Sequence, residues 1–112
     1  MGINWSNRDY DSHLSYTRFA VFRELVARLV GIDLPAMEDW GGKRNWATVA
    51  DPIAFLFQES ESQGGFDSGQ CRVLADRITE LMAAHPEARE TLEWFAGEFE
   101  IGAQTGCGVA WE

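Results

Sequence analysis

Two cysteines among 112 residues are too few for a disulfide framework. That scarcity sets aside a stapled, secreted scaffold and predicts a cytoplasmic protein with reduced thiols. No apolar run approaches the roughly 20 residues that a membrane span needs. Met1 is followed by Gly2, Ile3, Asn4, Trp5 and Ser6, with no apolar core of the kind a secretory leader carries. Basic residues are scarce as well: nine Lys and Arg stand against 18 Asp and Glu, a formal net charge of -9. Such a chain repels nucleic acid and anionic membranes and suits a partner with a basic face. Catalytic signatures are missing too. There is no nucleophile elbow, no zinc-ligand spacing and no triad pattern, and His13 and His85 stand apart from the cysteines.

What the chain does have is core material. Apolar residues make up 46% of it, with five Trp and seven Phe, enough for a single domain over residues 1–112. Ile3 and Trp5 alternate with polar neighbours, which predicts a short strand over residues 2–7, followed by a polar loop over 8–15. A first helix is expected from Tyr16 to Val30, capped by Ser15 and stopped by Gly31. Phe19, Phe22, Leu25, Val26, Leu29 and Val30 form its apolar stripe. Arg23, Glu24 and Arg28 fall on the other side, with Glu24 and Arg28 spaced for an ion pair.

Residues 32–50 read as a loop broken by Pro35, Gly41 and Gly42. A short second helix is expected from Asp51-Pro52 through Phe57, apolar nearly all round and therefore central. The third helix, about 69–84, carries Cys71, Leu74, Ala75, Ile78, Leu81 and Met82 on one face. The fourth opens at His85-Pro86 and runs to about Gly102. Leu92, Phe95, Ala96, Phe99 and Ala103 line its inner face, and Glu87, Glu90, Glu93, Glu98 and Glu100 the opposite arc. Val109 and Trp111 alternate in the tail and could pair with residues 2–6. The expected fold is mainly α: four helices and a small two-stranded terminal β-ribbon.

Three segments carry candidate chemistry. Counted from Glu59, the central loop places Glu59, Glu61 and Gln63 at positions 1, 3 and 5 of an EF-hand-like calcium loop. Gly64 takes the turn position and Asp67 position 9. Gln70 stands where the closing bidentate Glu belongs, so the same loop also reads as a plain helix–turn–helix joint. The second segment, Trp40-Gly-Gly-Lys-Arg-Asn-Trp46, is the one basic, aromatic-flanked loop, in which Lys43 and Arg44 could meet an anion. Its plain reading is a loop anchored on the core by its two Trp. The third is the arc of glutamates on the last helix. Glu90, Glu93 and Trp94 there would form an interface with a basic partner, or else a solvated face. Cys71 and Cys107 could form a pair, although Cys71 lies on an apolar face.

Trp5-Ser6, the Phe19–Val30 helix, Trp40-Gly-Gly with Trp46, and the Gly64–Cys71 segment resemble a group of small uncharacterised bacterial proteins, chiefly actinobacterial. The likeness covers most of residues 2–84. It implies a class of protein and brings no activity with it, and the group's central loop is more acidic than this one. The function expected from the residues is a non-enzymatic, acidic interaction protein, such as an inhibitor or immunity-type protein covering a basic partner surface. A degenerate EF-hand-like ion-binding module, with calcium as its only conceivable cofactor, and a small motif-free enzyme are the alternatives.

Overall fold

A computed structural model of the chain describes residues 2–7, 11–60 and 62–112. Its strands are β1 (Gly2–Ser6), β2 (Asp11–Ser15), β3 (Gly64–Phe66) and β4 (Val109–Trp111). Its α-helices are α1 (Tyr16–Val30), α2 (Ser68–Ala84) and α3 (Arg89–Thr105), and short 3-10 turns fill the connections. The strands form one antiparallel sheet in the order β2-β1-β4-β3. This corrects the expectation of four helices with a two-stranded ribbon: there are three α-helices and a four-stranded sheet.

The differences have physical reasons. The terminal segments do pair, Trp5 opposite Trp111 and Ser6 opposite Ala110, but they are the centre of the sheet rather than a separate ribbon. Residues 11–15, expected in a loop, form β2. Only Leu14 among them is buried, opposite Ile3, so periodicity had one apolar position to work with and the backbone ladder to β1 decides the conformation. The expected second helix is a 3-10 turn, Ala54–Phe57. So short an apolar segment has too few internal bonds to hold an α-helix, and burial of Ile53, Leu56 and Phe57 sets its shape instead.

The three α-helices follow local signals. Ser15 accepts the Arg18 N–H at 3.0 Å, and Gly31 at φ 80° closes α1. Asp67 and Gln70 form a reciprocal capping box at the start of α2. The core lies between the inner face of the sheet and the helices. Trp5 stacks on Trp111 at 5.4 Å and meets Phe19, Phe95 and Phe99 edge-on at 5.8–5.9 Å. Aromatic pairs of this kind add about 0.5–1.5 kcal/mol each beyond the area they bury.

Two polar side chains share that core. Glu98, expected on the solvated arc, is 2% exposed. Its Oε1 accepts the Trp5 indole N–H and the Asn7 amide, both at 2.9 Å. Arg23, expected on the outer side of α1, is 3% exposed and lies between the rings of Phe19 and Trp40, with its guanidinium carbon 4.9 and 4.8 Å from their centroids. Sequence periodicity puts both residues off the apolar stripe; the partners that the fold supplies, Trp5 and Asn7 for Glu98 and two aromatic rings for Arg23, turn them inward.

Candidate functional site

Segment 57–60 organises the region around Trp40. Three side-chain N–H donors from three parts of the chain take its carbonyl oxygens. Trp40 Nε1 donates to the Phe57 carbonyl at 2.8 Å, Arg23 Nη1 to Glu59 at 2.9 Å, and Trp111 Nε1 to Ser60 at 3.0 Å. An irregular segment tied this way costs little further entropy when something binds against it. Trp40 is thereby fixed at its N–H edge and on one ring face, yet it stays half-buried.

Trp40 forms a wall shared by two clefts. One is a furrow of about 340 Å³ between α1 and the turn at 32–35, lined by Ala27, Ile32, Leu34 and Pro35 together with the charged Glu24, Arg28 and Asp33. The other, about 460 Å³, is bounded by Arg23, Asp39 and the pinned 57–60 segment, including Glu59. A third, about 500 Å³, adjoins the furrow across the Glu24 and Arg28 side chains and reaches Glu87. Along this line the ionisable groups are Glu24, Asp33, Asp39, Glu59 and Glu87 against exposed Arg28 and the buried Arg23. Glu24 and Arg28, spaced for an ion pair, form none within 4.0 Å among the described residues. Asp39 sits at φ 70°, the left-handed region that Asp tolerates better than most residues. It places a carboxylate beside the indole.

The residues singled out from the sequence fall in different places. Trp94 is half-buried, tilted against Trp5 at 5.7 Å, with the Arg18 guanidinium 4.7 Å above its ring. Its exposure is intermediate, like that of Trp40, with a guanidinium over its ring. Glu93 pairs with Arg89 at 3.2 Å, Glu100 with Arg72 at 2.6 Å, and Glu87 lies 3.5 Å from the His85 imidazole. The hydrogen bonds from Arg72 hold the Glu100 carboxyl below its ordinary value. Of the glutamate arc, Glu93 and Glu100 have cationic partners, Glu90 has none among the described residues, and Glu87 faces a His that is a cation only when protonated.

The basic loop is also committed locally. Trp46 is buried, stacks on Phe57 at 5.8 Å and donates its indole N–H to the Glu38 carbonyl at 3.1 Å. Gly42 presses so closely on the Ala36 backbone that no Cβ fits, and its N–H donates to the Met37 carbonyl rather than facing an anion. Arg44 Nε donates to Thr48 Oγ1 at 2.8 Å, which leaves Lys43 exposed beside it.

In the central loop, Glu59 is half-buried, Gln63 is exposed, Asp67 and Gln70 are engaged in the capping box, and Glu61 lies outside the described residues. The helix expected before the loop is the 3-10 turn, and Gly64–Phe66 joins the sheet. The Arg23 guanidinium bonded to the Glu59 carbonyl would repel a second cation there. Among the described residues no three His, Cys, Asp or Glu side chains converge as a metal site. Cys71 and Cys107 are free thiols, Cys71 buried and Cys107 exposed. Burial pushes the Cys71 thiol up to about 11.

A groove of about 710 Å³ lies over the outer face of the sheet, with Asn4, Ser6, Asp11, His13, Ala110 and Glu112 among its walls. It is polar and offers two carboxylates but no exposed apolar anchor. Sequence reasoning missed both this groove and the α1–Trp40 line. The Trp40 indole was visible as a candidate and Asp39 adjoins it in sequence, but Glu24 lies 16 residues upstream and Glu59 19 downstream, and folding alone gathers those two. Among the described residues no helix is long and apolar enough to cross a membrane. No family model, curated protein or solved structure matches the chain. Fold and site together define a small α+β domain with an acidic, aromatic-walled cleft line on one side.

Proposed function

We propose that this chain is a non-enzymatic, acidic interaction protein that docks a basic surface of a partner protein, in the manner of an inhibitor or immunity-type protein. The observation that supports this reading is the line of three adjoining clefts along α1 and Trp40, where carboxylates outnumber cations and the indole is fixed in advance. Charges that lack internal partners steer association and select an oppositely charged face. A fixed, half-buried Trp is the residue type that most often anchors an interface. The contact surface therefore belongs on the α1–Trp40 side, in place of the glutamate arc of α3.

The test is an NMR titration with a hexalysine peptide at low ionic strength. Amide shifts should concentrate on residues 24–40 and 57–60 and fall off in the combined variant Glu24→Lys, Asp33→Lys, Asp39→Lys. The pair Glu90→Lys, Glu93→Lys should leave them unchanged. Shifts centred on α3, or spread evenly over the surface, would rule the assignment out.

A further inference from the structure

We infer that the furrow beside Trp40 is an anchor pocket for one aliphatic side chain of the partner, a Leu- or Ile-type residue flanked by Lys or Arg. This deepens the docking reading above and rests on it. Five of the furrow's lining residues are apolar: Ala27 and Leu34 are buried, Ile32 and Trp40 are half-buried and Pro35 is exposed. Such a surface gains from losing water. The indole offers carbon here and no donor, because its N–H already bonds the Phe57 carbonyl.

The flanking charges follow from the same geometry. Arg23 stacks on the indole as part of the second cleft and is no part of the furrow's wall. A partner cation stacked beside Arg23 would meet like charge, so the indole is left to apolar contact. The carboxylates of Glu24 and Asp33 in the furrow's lining and of Asp39 in the adjoining cleft take the cations, and Arg28 is the basic group of that lining. The occupant is therefore a short segment with an apolar centre and basic flanks. The polar groove on the sheet lacks the apolar wall needed to read such a segment.

Two synthetic peptides separate the anchor from the charge: Lys-Arg-Leu-Leu-Arg-Lys and Lys-Arg-Ser-Ser-Arg-Lys, titrated into isotope-labelled protein. The leucine peptide should bind about tenfold more tightly, the order expected for burying part of one aliphatic side chain. It should move the Ile32 and Leu34 methyl signals and the Trp40 indole N–H. Ile32→Ser, which removes the apolar group without changing charge, should erase the preference and leave the serine peptide's affinity close to its original value. Ile32→Ala, a milder change, should at least halve the preference and serves should Ile32→Ser fold poorly. Equal affinities for the two peptides, with both at the α1 face, would overturn the anchor while leaving the acidic docking surface standing. Failure of the serine peptide to perturb the α1 face would remove the docking reading as well.

Discussion

Trp5→Phe tests how the core tolerates a carboxylate. Trp5 is fully buried, and its indole N–H donates to Glu98 Oε1 at 2.9 Å. A hydrogen bond to a charged group contributes about 1.5–3 kcal/mol, and losing it leaves Glu98 with less compensation for its burial. Phe retains one of the two indole rings, which forfeits roughly 1 kcal/mol of buried apolar area and loosens the stack on Trp111. The expected loss is about 2.5–4 kcal/mol in urea denaturation, or roughly 10–15 °C in melting temperature for a domain of this size. The mechanism is isolated by repeating the substitution in a Glu98→Gln background. Gln keeps an acceptor oxygen for Trp5 and Asn7 but makes both bonds neutral, so Trp5→Phe should cost about 1 kcal/mol less there. An equal cost in both backgrounds, or a loss below about 1 kcal/mol in the native one, would show that the carboxylate does not depend on the indole.

Gly108 stands at φ 70°, and a Cβ there would overlap the Phe66 carbonyl oxygen, so Gly108→Ala should cost more than about 3 kcal/mol by the same denaturation assay. The Cys71 thiol is raised from the ordinary 9.0 to about 11 by burial, so the folded state holds that proton more tightly than the unfolded one. Its contribution is therefore complete below pH 9 and fades as pH rises toward 11, which a melting series across that range reads. Iodoacetamide at pH 8 should label Cys107 in the native protein and reach Cys71 only in denaturant, as mass spectrometry will show. Millimolar calcium should move the melting temperature by less than about 1 °C, because Asp67 and Gln70 are bonded to each other's backbone; a larger shift would restore the central loop as an ion site.

In the proposed docking, partner choice rests on how the charge of -9 is distributed rather than on its size. Arg72 and Arg89 draw the glutamates of α3 into local pairs, and Arg77 holds Asp51 at 3.0 Å. The pairs of Arg72 and Arg89 are exposed and contribute little to stability, yet they remove charge from the field a partner meets. Among the described residues Glu24, Asp33 and Asp39 form no ion pair, so in the proposed docking their charge stays open to a partner.

The sequence by itself determined the three α-helices, through their apolar spacing and through Ser15, Gly31 and Asp67 at their ends. It also determined the meeting of the terminal strands, through the alternation of Ile3 with Trp5 and of Val109 with Trp111. These signals are local, so each can be read within a few neighbouring residues. Tertiary structure decided the rest. It made a strand of residues 11–15 by offering β1 as a ladder, and a 3-10 turn of residues 54–57 by wedging Leu56 and Phe57 into the core. It turned Glu98 and Arg23 inward and covered Trp94 with Arg18. It also brought Glu24, Asp33, Asp39 and Glu59 to one indole. A polar side chain's burial depends on whether a distant donor or aromatic face is there to receive it, and that is settled by contacts between residues far apart in the chain.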